Sequence, residues 1–324
     1  MQRRRADSRA ARHIRLATSG AAPKLPRLAR RMPQFCFIFN PNSGLNRRRP
    51  GFLPKLRSRI AALGFDAEFR ATERPLHATE LARDAAQRGI PRIVAVGGDG
   101  TLNEVACGVV GTGSALALIP CGSGNGLGRH LGVHGSLEHA LLVARDGRIR
   151  AIDTGVAAGH RFCNAMGVGF DAEIARRFNN LPTRGLRTYL RTGWNTYFGY
   201  RPETYSIRGA DGAETRREAF IVAVLNSDQY GNNARIAPGA SVDDGQLDLV
   251  AIPAMGFARS ALFVGRLFCG DARRHRGVLS ARGSGFTIRR AAPGVIHVDG
   301  ETREAGAEID VRLEPASLRF VVPA

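Results

Sequence analysis

Three glycine-rich turns carry the residues best suited to chemistry in this sequence. The turns Asn40-Pro41-Asn42-Ser43-Gly44, Gly97-Gly98-Asp99-Gly100-Thr101 and Pro120-Cys121-Gly122-Ser123-Gly124-Asn125-Gly126 each follow an apolar run that predicts a strand. Glycine permits positive φ and a close approach of a ligand to the backbone. Exposed backbone N–H groups and helix N-termini attract anions, and ligands bind such sheets at the carboxyl ends of the strands. The three turns therefore predict a polyphosphate site on one edge of a sheet.

The lysine-based phosphate signature is absent from the chain. The sequence has no G-x-x-x-x-G-K-[ST] motif, neither Lys24 nor Lys55 follows a glycine, and no strict G-x-G-x-x-G opens a βαβ unit. A bound nucleotide would therefore depend on backbone N–H groups, Ser and Thr hydroxyls, arginines and a metal ion.

Asp99 gives the predicted phosphate site a chemical role. A carboxylate among phosphate-binding glycines repels phosphate unless Mg²⁺ bridges the two, or it accepts a proton from an attacking hydroxyl. Two acidic clusters lie downstream, Asp243-Asp244-Gly245 and Asp299-Gly300-Glu301, and each alone is also typical of a hairpin turn. Asp99 is therefore a candidate base or metal ligand at this site, and the downstream acids taken alone predict turns.

The elements that position these residues fall into two halves. From Gln34 to about residue 150, apolar strands alternate with helices, which predicts a doubly wound parallel sheet with helices on both faces. Beyond that point, short strands alternate with segments of Gly, Asn, Asp and Pro, which predicts a mostly antiparallel, sandwich-like β-rich domain with helices at about 184–199 and 256–269. The predicted strands of this half are 161–169, 203–208, 218–226, 247–252, 285–290, 294–298, 309–313 and 318–322. We expect an α/β plus β protein with a basic extension at 1–32, a nucleotide-binding domain at 33–150 and a substrate domain at 151–324.

Charge and cysteine usage restrict the partners and the compartment. The 324 residues carry a net charge of +19, about half of it in residues 1–32, which favours an anionic partner. Five cysteines without a C-x-x-C pair disfavour a disulfide framework and a cysteine zinc site. No apolar run approaches the roughly 18 residues of a membrane span, and no signal-peptide segment precedes Met32. We expect a soluble, cytoplasmic protein with peripheral contact to the inner membrane surface.

One predicted helix combines basic and aromatic residues. Arg184, Arg187 and Arg191 recur at helical spacing near Trp194 and Phe198, so the helix either faces an anionic membrane or packs its aromatic side inward. Nucleic acid is not an expected partner, because the sequence has no RNP, zinc-finger or clear helix-turn-helix pattern.

Seven motifs, in order, resemble the diacylglycerol kinase/sphingosine kinase catalytic family of lipid kinases, including its bacterial members. The most specific is 97–105, which matches the family's GGDGTxNEV signature. The resemblance covers about residues 34–322. The other motifs are the NPNSG turn, the TERxxHA-like segment 72–78, the PxGSxN-like loop 120–125, the segment 164–172 ending in GFDA, DGQLD at 244–248 and VDGE at 298–301.

This resemblance implies an α/β domain of the NAD-kinase/phosphofructokinase type and ATP- and Mg²⁺-dependent phosphorylation of a lipid hydroxyl. It implies that Asp99 or Glu301 accepts the proton and that Asp171 lies near the lipid head group. With this family pattern, we predict that Asp99 and Glu301 converge across the domain cleft, one as base and the other orienting it or binding metal. It also implies a structural Mg²⁺ held by Asp244 with carbonyl oxygens of Ser241 and Gln246. The residues that it places around ATP are Asn40, Pro41, Asn42, Ser43, Gly44, Thr72, Gly98, Asp99, Gly100, Thr101, Asn103, Glu104, Ser123, Gly124 and Asn125.

The acceptor stays open at this point. Bacterial diacylglycerol kinases commonly have GTxND, whereas Asn125 here precedes Gly126, which is closer to the SGN-A-L pattern of sphingosine-kinase-like sequences. The candidate lipid alcohols are diacylglycerol, a long-chain sphingoid base, ceramide and phosphatidylglycerol. The rival interpretations are an NAD-kinase-like enzyme, whose related fold also uses GGDGT, and a non-catalytic lipid- or nucleotide-binding protein. The oligomeric state, including a homodimer, is also open.

Overall fold

The structure is a computed structural model that describes residues 32–44, 46, 51–179, 181, 186–269, 275 and 277–324, except for the side chains of 186–190 and 257. The predicted basic extension up to residue 31, Arg184 and the side chain of Arg187 lie outside the described part. None of the described helices is both long enough and apolar enough to span a bilayer. The helices are α1 Phe52–Ala62, α2 His77–Gln87, α3 Asp99–Val109, α4 Gly126–His130, α5 Leu137–Asp146, α6 Phe170–Asn179, α7 Leu186–Tyr197 and α8 Phe257–Cys269.

The first half contains the predicted parallel strands, in the order β2-β1-β3-β4. Their bounds are Phe35–Phe39 for β1, Ala67–Ala71 for β2, Arg92–Gly97 for β3 and Ala115–Pro120 for β4. The central strands are almost wholly buried apolar runs because helices cover both faces of the sheet. Helix α2 packs beside α3, and α1 packs beside α5, so the doubly wound α/β layer is confirmed.

The same sheet continues into the second half of the chain through its last strand. Strand β18, Glu308–Val322, runs parallel to β4 and antiparallel to two strands of the second half, β5 and β15. The prediction of two separate strands at 309–313 and 318–322 was wrong. The chain continues through a local irregularity after Glu314, where Ala316 takes a positive φ of 47° and its N–H donates to the side chain of Asp153 on the paired strand β5, and not to a backbone carbonyl. The remaining strands of this sheet are β5 Arg148–Ala157, β6 His160–Phe162, β8 Glu203–Gly209, β9 Glu214–Ala219 and β15 Gly285–Arg289.

The second sheet is antiparallel throughout, in the order β14-β13-β10-β7-β16-β17. Buried side chains of this sheet, such as Val224 and Leu249, pack against Ile207 and Ile288 of the first sheet and form one core. The predicted β-rich sandwich is therefore confirmed. Its strands are β7 Ala165–Gly169, β10 Ile221–Leu225, β13 Leu247–Ile252, β14 Leu279–Gly283, β16 Gly294–Val298 and β17 Glu301–Ala305, with a separate hairpin of β11 Gln229–Gly231 and β12 Ala234–Arg235.

One departure from the predicted strands bears on the site. A single strand was expected at 161–169, but the chain leaves the ladder at Cys163 and Asn164, between β6 and β7. The reason is that the backbone N–H groups of 163–165 donate to the carboxylate of Asp299. The sequence reasoning also missed α5, α6, β5, β14 and β17. The predicted domain boundary near residue 150 stays a prediction, and the first sheet extends across it.

Candidate active site

The three glycine-rich turns meet at the carboxyl ends of β1, β3 and β4. A Cβ atom added to Gly122 would lie 2.6 Å from the Cα atom of Gly98, so the second and third turns are in backbone contact. Gly44, in the first turn, lies against the carbonyl of Cys121. The N–H of Cys121 also donates to the carbonyl of Gly97 at 2.7 Å. Only glycine allows this approach, because any side chain at Gly98 or Gly122 would separate the turns.

The first turn is held by its own polar atoms. The Asn40 side chain accepts from the N–H of Asn42 at 2.9 Å, and the Asn40 carbonyl accepts from the N–H of Ser43 at 3.1 Å. The Ser43 hydroxyl is buried and has no hydrogen-bond partner among the described residues. A buried hydroxyl without a partner is costly, so Ser43 is a candidate donor to a bound ligand. Thr72 is buried next to this turn, and its N–H donates to the carbonyl of Phe39 at 2.9 Å.

The third turn is shaped by Asn125. This residue takes a left-handed φ of 50°, and its side-chain amide bonds both the N–H and the carbonyl of Gly122, at 3.1 Å and 2.8 Å. The turn thus closes on itself directly before α4. Ser123 is exposed at its tip.

Asp99 lies at the first position of α3. Its side chain accepts hydrogen bonds from backbone N–H groups of the third turn, which the sequence pattern had predicted to bind phosphate. Its two carboxylate oxygens accept from the N–H groups of Asn125 at 2.8 Å and Gly126 at 2.9 Å. Burial, reinforced by the negative charge of Asp299, raises the pKa of Asp99 to about 6, against the lowering effect of the backbone donors. A carboxylate fixed in place with a pKa near neutral suits proton transfer.

Asp299 is the buried acid that the sequence reasoning left without a role. Its carboxylate accepts four hydrogen bonds: from the Asn103 side chain at 2.8 Å, and from the N–H groups of Cys163, Asn164 and Ala165 at 2.7, 2.9 and 3.0 Å. Burial raises the pKa of Asp299. Because Asn103 lies on α3 and the three N–H groups lie just before and at the start of β7, Asp299 joins the α/β layer to the second sheet. Asp299 differs from an ordinary aspartate of a D-G turn only because its side chain points into the protein. The sequence does not show the direction of a side chain.

Glu301 follows the left-handed turn at Asp299 and Gly300, whose φ angles are 48° and 83°. It is partly buried, and its Oε1 would lie 2.8 Å from a Cβ atom added to Gly100. The structure therefore brings Glu301 beside the residue that follows Asp99. The predicted proximity of the two acids agrees with this placement, while their roles stay predictions.

Other predicted nucleotide residues on α3 face neighbouring elements. The Glu104 carboxylate accepts from the N–H of Ala78 at 3.1 Å, at the start of α2. Asn103 donates to the carbonyl of Arg161 at 2.8 Å as well as to Asp299. Both residues line a cleft of about 630 Å³ between α2, α3 and the β5–β6 connection. The Thr101 side chain lies against Gly97. The contacts of Asn103, Glu104 and Thr101 hold α3 in position. They indicate a structural role as strongly as they indicate a ligand site.

Asp171 belongs to a second, buried polar cluster. It is 2% exposed on α6, its Oδ2 lies 3.1 Å from Nε2 of His297, and the hydroxyl of Tyr230 donates to the same oxygen. Tyr230 Oη lies 2.8 Å from the same His297 nitrogen. The segment that carries Tyr230 packs on the third turn, since Gly231 would place a Cβ atom 3.6 Å from the Cα of Gly124. Sequence reasoning missed Tyr230 and His297.

The predicted metal residues lie before β13. The carboxylate of Asp244 accepts from the Gln246 N–H at 3.1 Å and forms an ion pair with Arg282. The Ser241 hydroxyl donates to Asp243 at 2.8 Å. Within the described parts of the chain, no group of three or more His, Cys, Asp or Glu side chains is placed to hold a metal ion. The oxygen donors suit a hard cation, but the arginine already neutralises the only carboxylate among them, so the set does not fit Mg²⁺ as it stands.

Comparisons with known proteins agree with this architecture. Residues 34–157 match the family described as the diacylglycerol kinase catalytic domain, and residues 164–322 match the YegS C-terminal NAD kinase beta sandwich-like domain. A protein from Chromohalobacter salexigens named probable lipid kinase YegS-like is 32% identical, over 62% of this chain and 67% of its own. The diacylglycerol kinase of Bacillus subtilis is 26% identical, over 82% of this chain and 88% of its own.

A solved structure supports the fold. The crystal structure of a diacylglycerol kinase from Bacillus anthracis matches with a TM-score of 0.68 at 19% identity, over 90% of this chain and 97% of that one. The two family matches lie in succession and together take in most of the described residues. The chain therefore belongs to the diacylglycerol kinase catalytic domain family of lipid kinases.

Proposed function

We propose that this protein transfers the γ-phosphoryl group of ATP to the hydroxyl of a lipid alcohol. The observation that carries the proposal is the placement of Asp99, with a pKa of about 6, where three glycine-rich turns meet and Glu301 arrives from the second sheet. This arrangement combines a region for polyphosphate with two carboxylates for a hydroxyl. Phosphoryl transfer requires positioning, charge neutralisation and a proton acceptor, and little covalent chemistry from the protein.

The nucleotide phosphates would bind the turns around Ser43 and the first turn of α3. The Ser43 hydroxyl is buried without a partner among the described residues, and a phosphate oxygen would supply one. The backbone at Gly98 and Gly122 carries no side chain that would keep a phosphate away. The N-terminus of α3 adds a favourable dipole. The N–H groups of Asn125 and Gly126 are already bonded to Asp99, so they position the acid and not the phosphate.

We assign the proton-accepting role to Asp99. Its two backbone bonds fix the carboxylate, and its raised pKa makes it a stronger base than an ordinary aspartate while it stays largely ionised at pH 7. A carboxylate has about four lone-pair sites, so Asp99 retains capacity to accept from the lipid hydroxyl. Glu301, beside Gly100, would orient that hydroxyl. The proton moves from the lipid hydroxyl to Asp99 while the hydroxyl oxygen forms a bond to the γ-phosphorus. The bond from the γ-phosphorus to ADP breaks, and ADP leaves.

With Asp99 as the base, the carboxylate of Glu301 would be a suitable ligand for a hard cation bound with the nucleotide. When bound, Mg²⁺ supplies neutralisation of the charge on the phosphates. The set at Asp244 is a separate matter, because its carboxylate is paired with Arg282.

The buried cluster at Asp171 supports an acceptor without a positive charge. An amine-bearing sphingoid base would need a carboxylate exposed to its ammonium group, whereas Asp171 is 2% exposed and already bonds Tyr230 and His297. Burying an ammonium group without an available partner is unfavourable. We therefore infer that diacylglycerol or a similar neutral glycerolipid is a better acceptor than a sphingoid base.

The test is phosphate transfer from labelled ATP, with Mg²⁺, to diacylglycerol, sphingosine, ceramide and NAD, each supplied separately and the lipids in mixed micelles. Asp99→Asn and Glu301→Gln are the site variants, and Asp310→Asn, which changes an exposed acid on β18, is the matched control. We expect label in diacylglycerol, a loss of turnover of roughly 10²-fold or more in Asp99→Asn, and near-parental turnover in the control.

The other outcomes are informative. Labelled NAD without labelled lipid identifies an NAD-kinase-like enzyme. ATP binding without transfer to any acceptor identifies a binding protein. Near-full turnover in both site variants would falsify the assignment of the two acids. Labelled sphingosine in excess of diacylglycerol would contradict the argument from Asp171.

A further inference from the structure

Two neighbouring helices outside the candidate site expose large apolar side chains. Phe198, directly after α7, is 69% exposed and Trp194 on α7 is 56% exposed, while α8 exposes Leu262 at 58% together with Val264 and Phe268. The helices adjoin, because the Tyr197 hydroxyl lies 3.0 Å from the Ser260 hydroxyl and donates to the carbonyl of Met255. We call this surface the α7–α8 face, defined by Trp194, Phe198, Leu262, Val264 and Phe268.

The charge of this face has one sign. Neither α7 nor α8 contains an acidic residue in its sequence, whereas Arg187, Arg191, Arg259 and Arg266 lie on the two helices. Arg191 and Arg259 are exposed. Apolar and aromatic side chains accompanied by arginines on helices are typical of a surface that lies in the interface of an anionic membrane. A core-forming face would not combine this exposure with this charge.

The α7–α8 face also lies close to the candidate site. Helix α7 packs against α6, which carries Asp171, and Gly193 of α7 approaches Ile174 of α6. At its far end, α6 contacts the turn before Glu301 through a bond of 3.0 Å from the Asn179 side chain to the Gly300 carbonyl. A membrane that contacts α7 and α8 would therefore lie beside the elements that carry the proposed acceptor residues.

We infer that the α7–α8 face docks on an anionic phospholipid bilayer, with Trp194, Phe198 and Leu262 in the interfacial region and Arg191 and Arg259 on lipid phosphates. Charge complementarity favours an anionic bilayer over a second copy of the chain. The two helices carry arginines and no acidic residues, so two copies of this face would repel each other. Membrane docking at this face goes beyond the proposed phosphoryl transfer. Vesicle binding can be measured without any transfer of phosphate.

Trp194 makes the test direct, because it is the only tryptophan of the chain. The unmodified full-length protein is mixed with vesicles of phosphatidylcholine and phosphatidylserine in equal parts, and with phosphatidylcholine alone. We expect a shift of the tryptophan emission to shorter wavelength with the anionic vesicles, quenching by brominated acyl chains, and a loss of both at high salt. An emission that does not change while the protein co-sediments with vesicles would place the contact elsewhere and overturn the inference.

Variants separate this face from other basic segments. Phe198→Ser with Leu262→Ser retains the reporter, and we expect about tenfold weaker binding to the anionic vesicles. Leu142→Ser with Ile149→Ser, two exposed apolar positions on other elements (38% and 42% exposed), is the control and should bind within about twofold of the parent. Equal loss in both double variants, equal binding in all three proteins, or an emission that depends on protein concentration without vesicles would each overturn the inference.

Activity separates this inference from the proposed function. On a short-chain, water-soluble diacylglycerol, the Phe198→Ser/Leu262→Ser protein should match the parent, and on diacylglycerol in anionic vesicles it should be slower. An unchanged rate on vesicles contradicts docking at this face. If no protein phosphorylates either substrate, the kinase proposal fails while the fluorescence result stands.

Discussion

Replacement of Asp299 by Asn tests whether a buried carboxylate joins the two sheets and tunes the acid on α3. Asp299 is buried, and its carboxylate bonds one side chain of α3 and three backbone N–H groups before and at the start of β7. The negative charge of Asp299 also raises the pKa of Asp99. The substitution preserves shape but removes the charge and one of the two acceptor oxygens.

The loss of stability caused by Asp299→Asn depends on the four hydrogen bonds that the carboxylate accepts. Oδ2 accepts from Asn103 and Cys163, and Oδ1 accepts from Asn164 and Ala165. Whichever way the amide of an asparagine is turned, its NH₂ group faces two N–H donors that then have no acceptor, at about 1–3 kcal/mol each. Relief of the buried charge of Asp299 offsets part of this cost. We expect the free energy of unfolding to fall by about 2–4 kcal/mol.

The assay is urea denaturation followed by far-ultraviolet circular dichroism. Asp310→Asn is the control, because Asp310 is exposed and accepts one hydrogen bond, from Thr287, so its loss should stay within about 0.5 kcal/mol. Equal stability of the two variants would refute the reasoning that four donors depend on Asp299.

The same substitution changes the pH dependence of catalysis under conditions where the variant is folded. Removing the charge of Asp299 lowers the pKa of Asp99, since a like charge disfavours ionisation. The acid limb of kcat/KM should therefore move to lower pH. A limb that stays in place or moves to higher pH would show that the two acids are not coupled.

Three further predictions concern the turns. In the unchanged protein, kcat/KM should fall about tenfold per pH unit below pH 6, because the base must be ionised and the pKa of Asp99 is about 6, and a limb near pH 4 would contradict this role. Gly122→Ala should cost roughly 1–3 kcal/mol of stability and raise KM for ATP, because its Cβ would lie 2.6 Å from the Cα atom of Gly98. Gly113→Ala is the control, and it should change neither stability nor KM because the space around Gly113 is open. Ser43→Ala should raise KM for ATP about five- to tenfold with little loss of stability, because it removes a buried hydroxyl that has no partner among the described residues. A loss above about 2 kcal/mol would reveal a structural role.

Much of the fold follows from local pattern. The apolar run of β1 and the strand-to-glycine transitions after β3 and β4 predicted the parallel layer, because a strand buried on both faces must be apolar throughout. The elements that sequence missed are those without such a pattern. Helix α6 contains Asp171, Glu173, Arg176 and Arg177 in ten residues, and this charge obscures its apolar side. The break at Cys163 depends on Asp299, which lies far away in sequence.

The sequence by itself determined the family, the two structural classes and the glycine-rich turns, because glycine and acid spacing record local backbone requirements. The tertiary structure alone decided how those residues are used. It gave the N–H groups of the third turn to Asp99, paired Asp244 with Arg282 and enclosed Asp171 between Tyr230 and His297. Each of these outcomes depends on a partner brought in by long-range packing, and burial and partner choice set the charge state and availability of a carboxylate. A motif shows which acid is present, and only its surroundings show what it can do.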